Sequence, residues 1–203
     1  MMEHEVEPVP GLPGHLPPGE TMLWQGRPDR ASLARHAFHT RGVAIYFALL
    51  TALALASGGP MAAAMTAGLG AAAVGLLHLF AWGAAKTTIY TLTDRRVVLR
   101  IGTAVPKCVN LPLSQVVAVD LAVRRDGTGD LPLTLASGAG LGYLALWPHA
   151  RPFKLARPQP MLRSLRDPQA VAALLARACL AAGAARAEVR PAPMPLFEGA
   201  QAA

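Results

Sequence analysis

The chain has 203 residues, of which 53% are hydrophobic and only 15% charged, against about 25% charged in an ordinary soluble domain. That balance excludes a disordered chain and argues against a cytosolic enzyme, and two cysteines, Cys108 and Cys179, exclude a disulfide-dense scaffold and a four-cysteine zinc site. A net charge of +7 points to an anionic partner, either a membrane surface or a protein.

In chain order, residues 1–30 read as an acidic, proline-rich arm ending in a short strand around Thr21-Met22-Leu23-Trp24-Gln25. Ala31–Arg41 reads as a basic helical lead-in carrying Leu33, His36, Phe38 and His39. From Gly42 to Ala85 there is no Asp, Glu, Lys or Arg, a stretch more than twice the roughly 20 apolar residues a bilayer-spanning helix needs. Ser57-Gly58-Gly59-Pro60 breaks it, because Gly-Gly before Pro punctuates a turn. The expectation is a two-helix transmembrane hairpin, with spans at about 40–57 and 61–85. The first span, Val43–Ala56 at its core, is short and reaches a full crossing only by recruiting Thr40–Gly42 and Ser57. The stretch starts too late and runs too long for a secretory signal. Arg27, Arg30, Arg35 and Arg41 precede the hairpin, and Lys86, Arg95, Arg96 and Arg100 follow it. Positive flanks stay inside, so both termini are expected in the cytoplasm, where free cysteines are also at home.

Residues 86–183 form the next unit. Thr88–Thr93 alternates and is β-branched, as a strand should be, and Asp94-Arg95 turns into a second strand at Arg96–Ile101. Further strands are predicted at Val105–Leu111, Val116–Arg124, Leu131–Leu135 and Leu141–Trp147, with a seventh at Phe153–Leu155. The turn between the fifth and sixth is Ser137–Gly140. Asp167 as N-cap and Pro168 in the first turn then open a helix. Its apolar face is Val171, Leu174, Leu175, Ala178, Cys179 and Ala182, and Gly183 stops it. Residues 184–203 read as a mobile tail. Six or seven strands in hairpin order make a small barrel or sandwich, with the helix over one open end.

Tyr90-Thr-Leu-Thr-Asp-Arg-Arg-Val-Val-Leu-Arg-Ile-Gly102, Leu111-Pro-Leu-Ser-Gln-Val116 and Pro18-Gly-Glu-Thr-Met-Leu-Trp-Gln-Gly-Arg-Pro28, placed around two spans, resemble the membrane-anchored bacterial pleckstrin-homology (PH) domain proteins. A closer resemblance runs through Glu7–Pro13, Leu23-Trp-Gln-Gly26, Phe38-His39, Gly129-Asp-Leu-Pro-Leu133, Tyr143-Leu-Ala-Leu-Trp-Pro-His-Ala-Arg-Pro152 and Pro160-Met-Leu-Arg163. These are similar to the photosynthetic-complex assembly proteins of purple bacteria, with Phe153 standing where a tryptophan is expected. The resemblance implies a mainly-β PH-like barrel with one C-terminal amphipathic helix. It also implies a non-enzymatic assembly factor for the reaction-centre and light-harvesting core complex, held in the inner (intracytoplasmic) membrane. The implied partners are the core subunits and membrane lipids; no nucleic acid and no cofactor is implied.

The candidate sites follow from the residues. Arg151, Lys154, Arg157, Arg163 and Arg166 form a basic run kept extended by prolines. It suits docking on an acidic protein face or on anionic lipid headgroups, or else is a solvated loop. Ala64, Gly68, Ala71, Ala72 and Gly75 make a small-residue face, expected to pack on the first span or to support a homodimer. His78, the ionisable residue within a span, is a weak candidate to ligate bacteriochlorophyll magnesium, against a plain hydrogen-bonding role. His36 and His39 lack a third metal ligand. Asp126-Gly-Thr-Gly-Asp130 is too short for a calcium loop and reads as a hairpin turn. Gly138, Gly140 and Gly142 lack the Lys-Ser pair of a phosphate loop. Ser114, Ser137 and Ser164 sit in no nucleophile elbow. The alternatives to assembly are a lipid-binding PH module without a photosynthetic client and a pigment-handling protein.

Overall fold

The structure is a computed structural model that describes residues 11–12, 14–102, 106–136 and 142–183, together with the backbone of 188–191. Strand β1 (Met22–Gly26) comes first, and Asp29 then caps helix α1 (Arg30–His36), its carboxylate accepting the Ser32 amide at 2.9 Å. The chain bends by 53° at His39, which takes a left-handed φ of 52°, and enters α2 (Thr40–Ala56). Thr40–Gly42 are thus part of the helix. After the Ser57–Gly59 turn comes α3 (Pro60–Thr87), at 28 residues long and apolar enough to cross a membrane. At 1.5 Å per residue it extends about 42 Å, beyond the roughly 30 Å of bilayer hydrocarbon.

The β-rich part follows as β2 (Ile89–Thr93), β3 (Arg96–Ile101), β4 (Lys107–Pro112), β5 (Val116–Val123) and β6 (Gly129–Leu135). Then come a single helical turn α4 (Tyr143–Leu146), β7 (Met161–Leu165), α5 (Pro168–Ala181) and β8 (Glu188–Pro191). Among the described residues these strands make two four-stranded sheets, in the orders β1-β2-β3-β4 and β7-β6-β5-β8. Neighbouring strands are antiparallel except β5 and β8, which are parallel. Thr93 builds the β2–β3 turn: its hydroxyl accepts the Arg95 and Arg96 amides at 3.2 and 3.0 Å. One core joins Tyr90, Leu92 and Leu99 of the first sheet, Leu131, Leu133 and Leu162 of the second, and Val171 and Leu175 of α5.

The helical hairpin is therefore an insertion between β1 and β2, not a leader to a separate domain. β1 pairs with β2 from Met22↔Thr93 to Gly26↔Tyr90, and the Glu20 carboxylate meets the Arg96 guanidinium through two hydrogen bonds of 2.8 and 3.0 Å. Leu12 is buried, so the part of the arm described folds onto the β-domain.

Four expectations are corrected. Tyr143–Leu146 is helical, not a strand: Tyr-Leu-Ala-Leu is rich in helix formers, lacks a β-branched residue and is closed off by Pro148. Phe153–Leu155 is not a strand, because Phe153 adopts a φ of 61° between Pro152 and Pro158. The strand falls at Met161–Leu165 instead, a sequence without β-branching that β6 recruits by pairing. Within the tail expected to be mobile, Glu188–Pro191 pairs with β5. The motif at residues 7–10, the Ser137–Gly140 turn and the rest of the tail lie outside the described residues.

The small-residue face also needs correction. α3 meets α2 through Ala63, Thr66 and Gly70: a Cβ on Gly70 would stand 2.6 Å from Phe47 Cβ, and the Thr51 and Thr66 hydroxyls are 3.2 Å apart. Of the predicted five, only Ala71 lines the edge of the α2–α3 groove; Ala64, Gly68, Ala72 and Gly75 are exposed beyond that edge. A helix of small residues offers close approach on several faces, so composition alone does not choose among them.

Candidate functional site

The helical hairpin and the β-domain meet at a polar junction built on α1. On one side Leu33, Ala34 and Phe38 pack against Ala81, Ala84 and Ala85 near the end of α3. On the other, the β5–β6 turn receives α1. Ser32 and Thr128 share a 2.7 Å hydrogen bond, and Asp126 meets Arg35 at 3.3 Å and His36 at 3.8 Å. The Thr128 hydroxyl and amide hold Asp126 below the usual carboxylate range. The β5–β6 turn closes between Arg124 and Thr128, so Asp126–Thr128 form the expected hairpin turn while Gly129 and Asp130 begin β6, and the turn is also the seat of the lead-in helix.

Beneath the turn, Asp130 organises a buried charge cluster. Its carboxylate accepts the Ser164 amide at 2.7 Å, pairs with Arg124, and lies 4.0 Å from Arg163. Ser164 holds a left-handed φ of 54° inside β7 and offers its carbonyl to the Asp29 amide at 2.7 Å. A non-glycine residue kept in that region signals a conformation imposed by its surroundings. Here it lets one residue face Asp130 and the α1 cap at once.

A second buried unit ties α3 to the loop before β7. Tyr90 Oη accepts the Arg163 amide at 3.0 Å, so its own proton goes to His149 Nδ1 at 2.7 Å. His149 then carries its proton on Nε2 and donates to the Thr88 hydroxyl at 3.0 Å, at the C-cap of α3. Burial, with Arg163 nearby, pushes the His149 pKa down to about 3, so the ring is neutral. Burial likewise raises Tyr90. Sequence reasoning missed Tyr90, Asp130 and His149 as a set. The readable signal was an acid and a histidine within otherwise apolar segments.

The predicted basic run is divided among four places. Arg163 is 7% exposed and donates to the Pro148 carbonyl at 2.7 Å, so it belongs to the junction. Arg151 is held by Asp120 and by Gln159 Oε1 at 3.0 Å. Arg166 pairs with Asp29 at 3.2 Å beside the start of α5. Lys154 and Arg157 alone remain together on an exposed loop. That loop is also apolar: Phe153 is 96% and Leu155 69% exposed, and Leu144 on the preceding α4 is 88% exposed. Trp147, half exposed, stacks edge-on against Phe38 at 5.4 Å, which brings the start of this surface to the entrance of α2.

His78 is exposed on α3, and His39 sits at the helix bend. Among the described residues no three His, Cys, Asp or Glu side chains gather as metal ligands. Cys179 is sealed in the core, and burial pushes its thiol up to about 11, away from nucleophilic use.

Comparison with known proteins fits this architecture. Residues 44–178 match the model of the bacterial PH domain, from within α2 to within α5. The chain is 38% identical over 193 residues to an uncharacterised 23.7 kDa protein in the puhA 5′ region of Rhodobacter capsulatus, covering 89% of this chain and 90% of that one. No solved structure matches. Two sheets closed by a C-terminal helix, together with these similarities, identify the chain as a member of the bacterial PH-domain family.

Proposed function

We propose that this protein is a PuhB-type assembly factor, which docks transiently on reaction-centre and light-harvesting core subunits and catalyses no reaction. In this reading α2 and α3 both cross the inner (intracytoplasmic) membrane, with the Ser57–Pro60 turn on the far side and both termini in the cytoplasm. The observation that carries docking is the exposed surface of Leu144, Trp147, Phe153 and Leu155 with Lys154 and Arg157, set beside the entrance to α2. Large exposed apolar side chains ringed by charge are the usual mark of an interaction site. The choice of client rests on the motif resemblance and is supported by the relative named for its position in the puhA 5′ region.

The test is recovery of the tagged protein from photosynthetic membranes while the core complex is being made. Reaction-centre or antenna subunits should co-purify, and Phe153→Ser with Leu155→Ser should reduce that recovery. Recovery of lipid with no such subunit would overturn the assembly role. Protein that alkaline carbonate washes from membranes would overturn the two-span placement.

A further inference from the structure

A groove of about 620 Å³ opens where β1 leads into α1, against the last turns of α3 and the β7–α5 link. That volume is in the range of small-ligand sites. Its wall carries four cations, Arg27, Arg30, Lys86 and Arg166, and a single carboxylate, Asp167. Asp167 is already engaged as the α5 cap, accepting the Ala170 amide at 3.1 Å. Asp29, outside the wall, meets Arg166 through Nε only. Two indoles complete the wall. Trp24 folds across Gly26 so closely that a Cβ there would stand 2.3 Å from its ring, and Trp82 lies 4.9 Å below the Lys86 ammonium. Arg27 donates to the Lys86 carbonyl at 3.0 Å and fixes the end of α3 to the β1 side.

The level of the groove matters as much as its charge. Trp82 and Lys86 stand near the end of the long apolar helix, where tryptophan and lysine mark the headgroup layer of a crossing helix. Down the same helical face from Trp82, at steps of three or four, come His78, Gly75, Ala71, Gly68 and Ala64. Gly75 and Gly68 have nothing within 4 Å of where a Cβ would stand. The face that α2 leaves mostly uncovered is therefore a shallow track that ends at the cationic groove.

We propose that the groove holds the phosphate headgroup of one anionic phospholipid, whose acyl chains lie along this track. The inference rests on the membrane placement of α3 proposed above and on no particular protein client. It concerns surfaces separate from the Leu144–Arg157 docking loop.

The test is native mass spectrometry of the full-length protein in detergent micelles, titrated with dioleoylphosphatidylglycerol or with dioleoylphosphatidylcholine. One phosphatidylglycerol should bind ahead of phosphatidylcholine. Arg30→Gln with Lys86→Gln should weaken it by roughly 25-fold, about fivefold for each cation near a membrane surface. Arg125→Gln with Arg177→Gln removes the same charge from exposed sites outside the groove and should leave binding within about twofold. Equal binding of the two lipids, or equal weakening by both variant pairs, would overturn the site. Displacement by soluble glycerol phosphate at matching concentration would overturn the lipid and leave a free-phosphate site. Carbonate extraction of the membranes from which the protein is purified separates the failures: protein that washes off sinks the membrane placement, whereas protein that stays but ignores headgroup charge sinks the groove alone.

Discussion

Leu49, Leu53, Leu69 and Leu79 on the helical hairpin are more than half exposed, whereas Leu92, Leu99, Leu131 and Leu133 in the β-domain are sealed to 1% or less. The same side chain is placed in two ways. In the β-domain leucine is withdrawn from water into a packed core, at about 25 cal/mol per Å² of apolar surface removed. On the hairpin it faces outward, and contact between α2 and α3 depends on small residues that admit close approach. The polar groups divide the same way. The hairpin has hydroxyls bonded within and between its helices, while the junction and β-domain bury charges that require matched partners.

The largest test of this contrast is the buried charge of the junction. Asp130→Ala leaves Arg124 and Arg163 without their carboxylate and should cost about 3–5 kcal/mol, read as a loss of denaturant resistance of the β-domain by circular dichroism in detergent. A loss below 1 kcal/mol would show that the cluster is not the tie it looks to be.

Within the hairpin, two glycines should respond with opposite sign. Gly70→Ala drives a methyl into Phe47 and should destabilise helix pairing by about 1–3 kcal/mol in an SDS-unfolding titration. Gly75→Ala meets open space and should be neutral or stabilising by up to about 1 kcal/mol. The reverse order would mean that the originally predicted face is the packed one.

Proton uptake sharpens the comparison further. The folded His149 pKa is about 3 against 6.5 for a free imidazole, so below pH 6.5 the unfolded chain takes up a proton that the folded chain refuses. Stability is whole above pH 6.5 and falls as the pH drops toward 3. Between pH 6.5 and 5 the loss from this residue should be about 2 kcal/mol. His36, also lowered by burial, adds a loss of the same sign. His149→Gln should flatten the slope across that window; an unchanged slope would remove His149 as its source. The smallest effect is expected at the surface. Arg35→Ala breaks a half-exposed pair with Asp126 and should change stability by less than about 1 kcal/mol.

Much of this was legible in the chain. Absence of charge from Gly42 to Ala85 with Gly58-Gly59-Pro60 at its middle marks two helices and their turn, because those properties are local. Thr88–Thr93 and Arg96–Ile101 declare themselves through β-branched alternation, and Asp167-Pro168 through capping chemistry. Met161–Leu165 does not, since only pairing with β6 makes it a strand. The basic run is a sharper case. Its five cations are near neighbours in sequence, yet one is sealed, one is held by Asp120, one lies by the groove and two share the exposed loop. Spacing along a chain says little about shared surface once the backbone turns at residues such as Phe153 and Ser164.

Sequence alone determined what each segment is made for: where apolar content is continuous, where strands alternate, where helices start. Those outcomes depend on backbone propensity and on transfer of side chains from water, both set within a few residues. Tertiary structure decided that β1 belongs with strands reached only after the hairpin, and that Tyr90, Asp130, His149 and Arg163 share one buried junction. It also decided that Arg27, Arg30, Lys86 and Arg166 line one groove. These are contacts between residues tens of positions apart, and they exist because burying a polar group demands a partner wherever in the chain that partner lies.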